Sequence, residues 1–170
     1  RKVWPKAIFA ELCWFLSGST NIGALELLGS KIWSPWRSEE FERKNRYSYN
    51  DLGPVYGFQL RNFGGSYCPK SCMCPGEHNC GFDQLKYVVD ELKQNPTSRR
   101  ILWSLWNPND LDKQRLPCCH YTFQLSVVGD RLSGMLTQRS ADFPIGVPAN
   151  IQFYSAIIYL LAQEVGLKPY

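Results

Sequence analysis

Tyr121-Thr-Phe-Gln-Leu-Ser-Val-Val-Gly-Asp-Arg-Leu-Ser-Gly-Met-Leu-Thr-Gln138 is the stretch that decides the fold. Tyr121, Phe123, Leu125 and Val127 alternate with Thr122, Gln124 and Ser126, the period of two that places apolar side chains on one face of a strand. Gly129-Asp130 supplies a tight turn, and Leu132 and Leu136 carry the pattern into a second arm. The reading is a β-hairpin with arms over 121–128 and 131–138.

Working outward, residues 150–165 form a long apolar helix closed by Gly166, with Asn150 as its first residue. Residues 101–106 are apolar but too few for a helix, so they read as a buried strand. Residues 82–94 are amphipathic, with Leu85, Val88, Val89 and Leu92 along one side, and Asn95-Pro96 stops that helix. Residues 4–16 are apolar on nearly every side, which predicts a deeply buried helix. A short helix follows Ser19-Thr20, either of which can cap it, and ends near Gly29. Residues 34–53 show neither period and read as a surface excursion. This order predicts one α+β domain over 1–170, a mixed β-sheet with helices packed on one face.

With 44% apolar and 14% aromatic residues in a chain of 170, a packed core is expected. The longest uninterrupted apolar run, 156–162, is far short of the roughly 18 residues that mark a membrane helix. The net charge of +4 comes from scattered cations, which fit a small anionic substrate as well as they fit RNA and do not indicate a nucleic-acid surface. Seven cysteines, unevenly placed, are not a balanced disulfide framework, and a reducing cytoplasm is expected. The chain does not start on Met and reads as a piece of a longer protein.

Cys119 stands beside His120 after Pro117-Cys118. A thiol attacks only as thiolate, so nearby cations or donors matter; the alternative is a structural cysteine next to a satisfied histidine. Gln138-Arg139-Ser140-Ala141-Asp142 offers a guanidinium fork and a hydroxyl suited to phosphate, or else a plain Arg139–Asp142 ion pair. Arg99-Arg100 is a second pair of cations, or a solvated strand entry. Asn150 is a helix cap or a reader of a pyrimidine edge. Glu11, among Ala7, Ile8, Trp14 and Phe15, should have a raised pKa and can serve as a proton relay, unless backbone donors or an arginine satisfy it. Within the Cys-rich loop 66–81, Cys68, Cys72, Cys74, His78 and Cys80 are enough ligands for zinc, but their spacing is not a standard one and no metal is expected.

The segments Glu11-Leu-Cys-Trp-Phe-Leu-Ser-Gly-Ser-Thr-Asn21, Ile32-Trp33 followed by Trp36, and Asp51-Leu-Gly-Pro-Val-Tyr-Gly-Phe-Gln59 open an ordered series of motifs. Asn95-Pro96 through Arg99-Arg100, Trp106-Asn107-Pro108, Pro117-Cys118-Cys119-His120, residues 138–142 and Gly146-Val-Pro-Ala-Asn-Ile151 complete it. Along almost the whole chain this series resembles the thymidylate synthase family. The resemblance implies that Cys119 adds to C6 of the uracil ring of dUMP, making C5 nucleophilic enough to take the methylene carbon of methylenetetrahydrofolate, which then supplies hydride to give dTMP. It implies catalytic roles for Cys119, Glu11, Tyr56, Asn150 and Arg139. Arg139 and Ser140 would hold the phosphate with Arg99 and Arg100 from the partner subunit of a homodimer. His120, Gln138, Asp142 and Asn150 would complete the nucleotide site, while Ile32, Trp33, Asp142 and Gly146 would border the reduced folate.

The sequence departs from the family pattern in three ways. Ala149 stands where phenylalanine is usual, which should loosen contact with the folate's aromatic portion. Cys118 replaces the usual proline, adding a vicinal thiol expected to make Cys119 sensitive to oxidation. The amino-terminal phosphate-binding arginine and the carboxy-terminal strand with its His and Tyr fall outside these 170 residues, so the chain alone should not build a complete site. Two competing readings remain: a pyrimidine nucleotide hydroxymethylase of the same fold, and a non-catalytic homologue that binds nucleotides or RNA.

Overall fold

The alternation at 121–138 is realised as a hairpin in the computed structural model, which describes residues 4–68 and 81–170. Its arms are β2 (His120–Val128) and β3 (Arg131–Gln138), paired antiparallel with Phe123 opposite Leu136 and Val128 opposite Arg131. The strand expected at 101–106 is β1 (Leu102–Ser104), antiparallel to β2. Its pairing extends past both ends, because Leu125 N–H donates to the Ile101 carbonyl and Leu105 N–H to that of Tyr121. A two-residue strand, β4 (Lys168–Pro169), lies parallel to β3 and makes the sheet mixed, in the order β1-β2-β3-β4. The sequence reading missed it, since so short a pairing is set by its distant partner and carries no period of its own.

Phe123, Leu125 and Leu132 point to the helical side and are buried. The opposite side exposes Leu102, Val128 and Met135 among polar neighbours. Against the helical side pack α5 (Gln84–Gln94), capped by the Asp83 carboxylate, and α6 (Gly146–Val165), ended by Gly166 with φ of 73°. α1 (Pro5–Leu16) lies on α6 and on α4 (Tyr56–Arg61). Helices on one face of a mixed sheet are the α+β arrangement expected. Burial of each large core side chain such as Phe123 contributes about 1.5–3 kcal/mol.

Four local expectations are corrected. α1 is not buried all round: Phe9 and Cys13 face outward although Ile8, Leu12, Trp14 and Phe15 are in the core. The cap of α2 (Ile22–Leu27) is Asn21, whose side chain accepts from Gly23 N–H, because the Thr20 hydroxyl is occupied by Asp51. The aperiodic excursion holds a tight turn at Ser34–Trp36 and a helix, α3 (Glu39–Asn45), fixed by the Ser38 cap and by buried Glu42, which accepts from Asn50 N–H. α6 starts at Gly146, a turn before Asn150, because the Asp142 carbonyl accepts from Gly146 and Val147 N–H. Pro148 is harmless there, since the first turn needs no N–H from it.

A buried polar clamp fixes where α4 sits. Asp110 accepts from Gln59, Asn107 and Lys113, each at 2.9 Å, and the Pro54 carbonyl accepts from both Gln59 and Gln114 at 2.8 Å. Buried carboxylates persist when paired and hydrogen-bonded in this way, and the result ties the loop before α4 to the turn at Pro108–Lys113.

Gly134 lies under the Phe123 ring, where an added Cβ would come within 2.3 Å of Cζ. We expect Gly134→Ala to lower stability by about 1–3 kcal/mol, read from a denaturant midpoint, and a second change, Phe123→Leu, to recover part of the loss.

Candidate functional site

Cys119 occupies the last position before β2, next to a register irregularity between His120 and Thr122. Its main chain is held from both sides: its N–H donates to the Tyr56 hydroxyl at 2.7 Å, and its carbonyl accepts from Arg139 N–H at 2.9 Å. The Tyr56 contact exists because the clamp described above sets α4 beside this segment. The Arg139 contact follows from hairpin register, which brings the end of β3 alongside the start of β2.

The Arg139 side chain turns back over the same segment. Its Nε donates to the Cys118 carbonyl at 2.9 Å, and one terminal nitrogen reaches the Pro117 carbonyl at 2.7 Å and Cys119 Sγ at 3.6 Å. The guanidinium also lies over the Trp106 ring, 5.3 Å from its centroid. A planar fork with several donors suits these tasks together, where an ammonium would serve one. No ion pair joins Arg139 to Asp142 among the described residues, so the salt-bridge alternative is set aside. Asp142 instead accepts from Ile145 N–H at the entry to α6.

His120 is packed between rings. It stacks on Tyr56 with centroids 4.3 Å apart, and its Nδ1 is 2.7 Å from the Tyr154 hydroxyl. Burial pushes its pKa down to about 3, so the imidazole is neutral at physiological pH. Burial likewise holds both the Tyr56 and Tyr154 phenols protonated, well above their ordinary range.

The neighbouring thiol of Cys118 is fully buried, and burial drives its pKa far up, with the Cys119 charge adding to the effect. A thiol kept neutral out of solvent is a poor attacking group in exchange.

Glu11 is raised from the ordinary carboxylate range to about 7, by burial first, against the opposing effect of a 2.6 Å hydrogen bond from the Trp33 indole. Among the described residues neither a backbone donor nor an arginine satisfies it; the partner is Trp33, expected from sequence only to border the folate. Of that pair, Trp33 is buried and Ile32 is exposed.

Gln138 and Asn150 line one cavity of about 190 Å³ with Tyr154. Asn150 therefore lies inside α6 with its side chain toward the sheet, and is not a cap. Ser140 and Asp142 are exposed on the loop after β3, Gly146 opens α6, and Ala149 packs against the edge of the core. Arg99 and Arg100 are exposed in the turn before β1, form no ion pair among the described residues, and are not brought to Cys119. Cys72, Cys74, His78 and Cys80 lie outside the described residues, as does most of the Cys-rich loop. Among the described residues no group of three His, Cys, Asp or Glu could hold a metal ion, and no helix is long and apolar enough to cross a membrane. Tyr154 was not singled out from sequence, although it follows Asn150 by four residues and so shares its helix face.

Fold and site together define an α+β protein with an arginine-backed cysteine centre walled by neutral aromatic and imidazole rings. The chain belongs to the thymidylate synthase family, whose model matches residues 1–170. It is 44% identical over 99% of its length to the thymidylate synthase of Homo sapiens and to that of Human herpesvirus 8, covering 54% and 50% of those proteins. It is 42% identical over 99% of its length to a bifunctional dihydrofolate reductase-thymidylate synthase of Zea mays, of which it covers 32%. The chain thus spans about half, or less, of the length of these relatives.

The Glu11 shift has a sign that can be measured. Between pH 4.5 and about 7 the folded state keeps a proton that the unfolded chain has released, so stability falls as pH rises through this window and levels off above it. The loss is at most roughly 3 kcal/mol. Unfolding free energies of wild type and Glu11→Gln, measured across pH 4–8, should converge at the acid end and separate above it, with the wild type lower.

Proposed function

We propose that the protein of which this chain is part converts dUMP to dTMP with methylenetetrahydrofolate as one-carbon and hydride donor, through a covalent bond from Cys119 Sγ to C6 of the uracil ring. The observation that carries this reading is the Arg139 guanidinium, tied to the carbonyls of Pro117 and Cys118 while a terminal nitrogen stands 3.6 Å from Cys119 Sγ. A fixed guanidinium there sets a hydrogen-bond donor against the attacking sulfur and, with Ser140, suits a bound phosphate. Addition of the sulfur to C6 makes C5 nucleophilic toward the methylene carbon, and the bond to sulfur breaks again when product leaves.

In this reading Tyr56 fixes the Cys119 peptide, and Asn150 with Gln138 reads the uracil edge from the cavity they share. His120 is a neutral group of the nucleotide site. Glu11, titrating near neutrality, manages protons, which fits a relay better than a fixed charge. Asp142, Gly146, Ile32 and Trp33 border the folate. The Zea mays relative is a bifunctional dihydrofolate reductase-thymidylate synthase, which accords with a folate cosubstrate. No metal is required, and the expected location is the cytoplasm.

Arg99 and Arg100 enter the site of a partner subunit in a homodimer. Their exposure and lack of ion pairs among the described residues support that role, and the open sheet face with Leu102, Val128 and Met135 suits contact with a second copy. The hydroxymethylase reading uses the same site with water in place of hydride, and Ala149 is the residue that favours considering it.

Incubation of the full-length protein with fluorodeoxyuridylate and methylenetetrahydrofolate, followed by intact mass measurement, should give a ternary adduct that is absent in Cys119→Ala. No adduct in reduced, folded wild-type protein would overturn the reading, and a hydroxymethylated product from dUMP would move it to the hydroxymethylase. Arg139→Lys should slow adduct formation at least about tenfold, since a lysine loses one charge-assisted bond of ~1.5 kcal/mol or more. Mixing inactive Cys119→Ala with inactive Arg99→Ala/Arg100→Ala protein should restore activity if the arginines act across the dimer; no recovery after verified subunit exchange would place them elsewhere.

A further inference from the structure

Glu26 lies on α2 and takes no part in the site as described. One of its carboxylate oxygens accepts from the Ser34 hydroxyl at 2.6 Å, and the other accepts from the Arg37 guanidinium. Ser34 opens the tight turn that follows Trp33, and Arg37 closes it. One side chain thus grips both ends of the turn next to Trp33, whose indole donates to Glu11 at 2.6 Å.

Polar contact ties this turn to the rest of the fold at few points. Main-chain hydrogen bonds of residues 31–37 stay within the segment, from Ser34 N–H to Lys31, Trp36 N–H to Trp33 and Arg37 N–H to Ser34. Among the described residues, the bonds that leave it are those of Ser34 and Arg37 to Glu26 and that of Trp33 to Glu11. Lys31, Ile32, Pro35 and Trp36 are exposed and bring no burial to anchor it. The helix carrying Glu26 is a firm base by contrast. Ile22 and Leu25 are fully buried, and the Trp14 indole donates to the Asn21 carbonyl at 2.9 Å. Packing on Trp14 and Tyr56, with centroids 5.8 and 5.7 Å away, keeps the Trp33 ring in the core, but contacts of this kind admit a range of tilts.

We propose that Glu26 is a positioning residue: by holding Ser34 and Arg37 together it aims the Trp33 indole N–H at the Glu11 carboxylate. A carboxylate suits this role because its two oxygens accept separately. The Ser34 hydrogen bond first, and the Arg37 guanidinium after it, hold Glu26 below the ordinary carboxylate range, so the tie stays charged while Glu11 titrates. A donor to a carboxylate favours its charged form, and a slack turn therefore leaves Glu11 protonated to higher pH. The titratable groups packed around this region, Tyr56 of α4, His120 of β2 and Tyr154 of α6, are uncharged and supply no opposite charge in its place. Removing the Glu26 charge acts through space in the other direction, lowering the pKa of a nearby carboxylate, so the sign separates the two effects. The consequence for turnover rests on the function proposed above, in which Glu11 manages protons.

Two signals of the full-length protein read the aim of the indole directly: the ¹H–¹⁵N resonance of the Trp33 indole, identified with Trp33→Phe, and the ¹³C titration of the Glu11 carboxyl, identified with Glu11→Gln. In Glu26→Ala the indole proton should move upfield toward the free-indole position, and the Glu11 midpoint should rise by roughly half a pH unit or more. Ser34→Ala changes no charge and should move both signals the same way by less; it carries the test if Glu26→Ala does not fold. Glu26→Gln, still able to accept from Ser34, should fall between wild type and Glu26→Ala. An unmoved indole in folded Glu26→Ala, or in Ser34→Ala where that is the variant that folds, overturns the proposal, as does a Glu11 midpoint that falls in Glu26→Ala. In turnover Glu26→Ala should lower kcat several-fold with little change in KM for dUMP, and the limb of the pH profile that follows Glu11 should move up with its midpoint. Unchanged kcat and limb in an active enzyme overturn that consequence. If both signals move as stated while the wild-type enzyme forms no methylated product from dUMP, the positioning role stands and the functional reading fails.

Discussion

The Pro117-Cys118-Cys119 segment leaves a turn and enters a sheet without a strand neighbour of its own, and Arg139 supplies what a ladder would otherwise provide. Its main-chain N–H and its guanidinium together satisfy the carbonyls of three successive residues. Buried carbonyls demand partners, and a side chain that meets this demand is as fixed as the backbone it bonds. The hairpin places Arg139 there, the helices cover the hairpin, and the clamp around Asp110 brings Tyr56 up from the other side. Removing the guanidinium would therefore disturb the shape of the site as well as its charge.

Around this tie the environment divides by polarity. On the inner side lie His120, Tyr154, Tyr56 and Glu11, all in surroundings that disfavour charge. On the outer side lie Arg139, Ser140 and Asp142, exposed and able to remain charged or hydrated. A ligand with an uncharged ring and an anionic tail matches that division, ring inward and tail outward. Arg99 and Arg100 add positive charge to the surface but not to this cluster within one chain.

The parts of the fold that were legible from sequence are those where one side meets solvent and the other does not. Tyr121 to Val127 alternate because of that asymmetry, and Leu85, Val88 and Leu92 recur at a helical spacing for the same reason. α3 escaped notice because its reasons are single contacts, the Ser38 cap and the buried Glu42 carboxylate, which leave no period behind. The start of α6 was misplaced because Gly146 and Pro148 read as loop, whereas a proline in the first turn breaks nothing. In the site, Glu11 stood out as a carboxylate among apolar neighbours, but the identity of its partner, 22 positions away, could not be read from spacing. The pairing of Cys119 with Arg139 came from family resemblance and not from any local pattern. Tyr154 was within reach of helical spacing alone.

Both main-chain polar groups of Cys119 are committed, one to Tyr56 and one to Arg139, so the peptide that carries the sulfur has little freedom to reorient. The sulfur is thus presented at nearly one point in space before any ligand arrives. A reaction at that atom would forgo much of the orientational search that a thiol on a loose loop must make, which for well-aligned intramolecular groups corresponds to effective concentrations on the order of 10⁵ M or more. The same rigidity narrows the range of electrophiles the sulfur can meet: only those that the surrounding cavity already holds in line will be within reach.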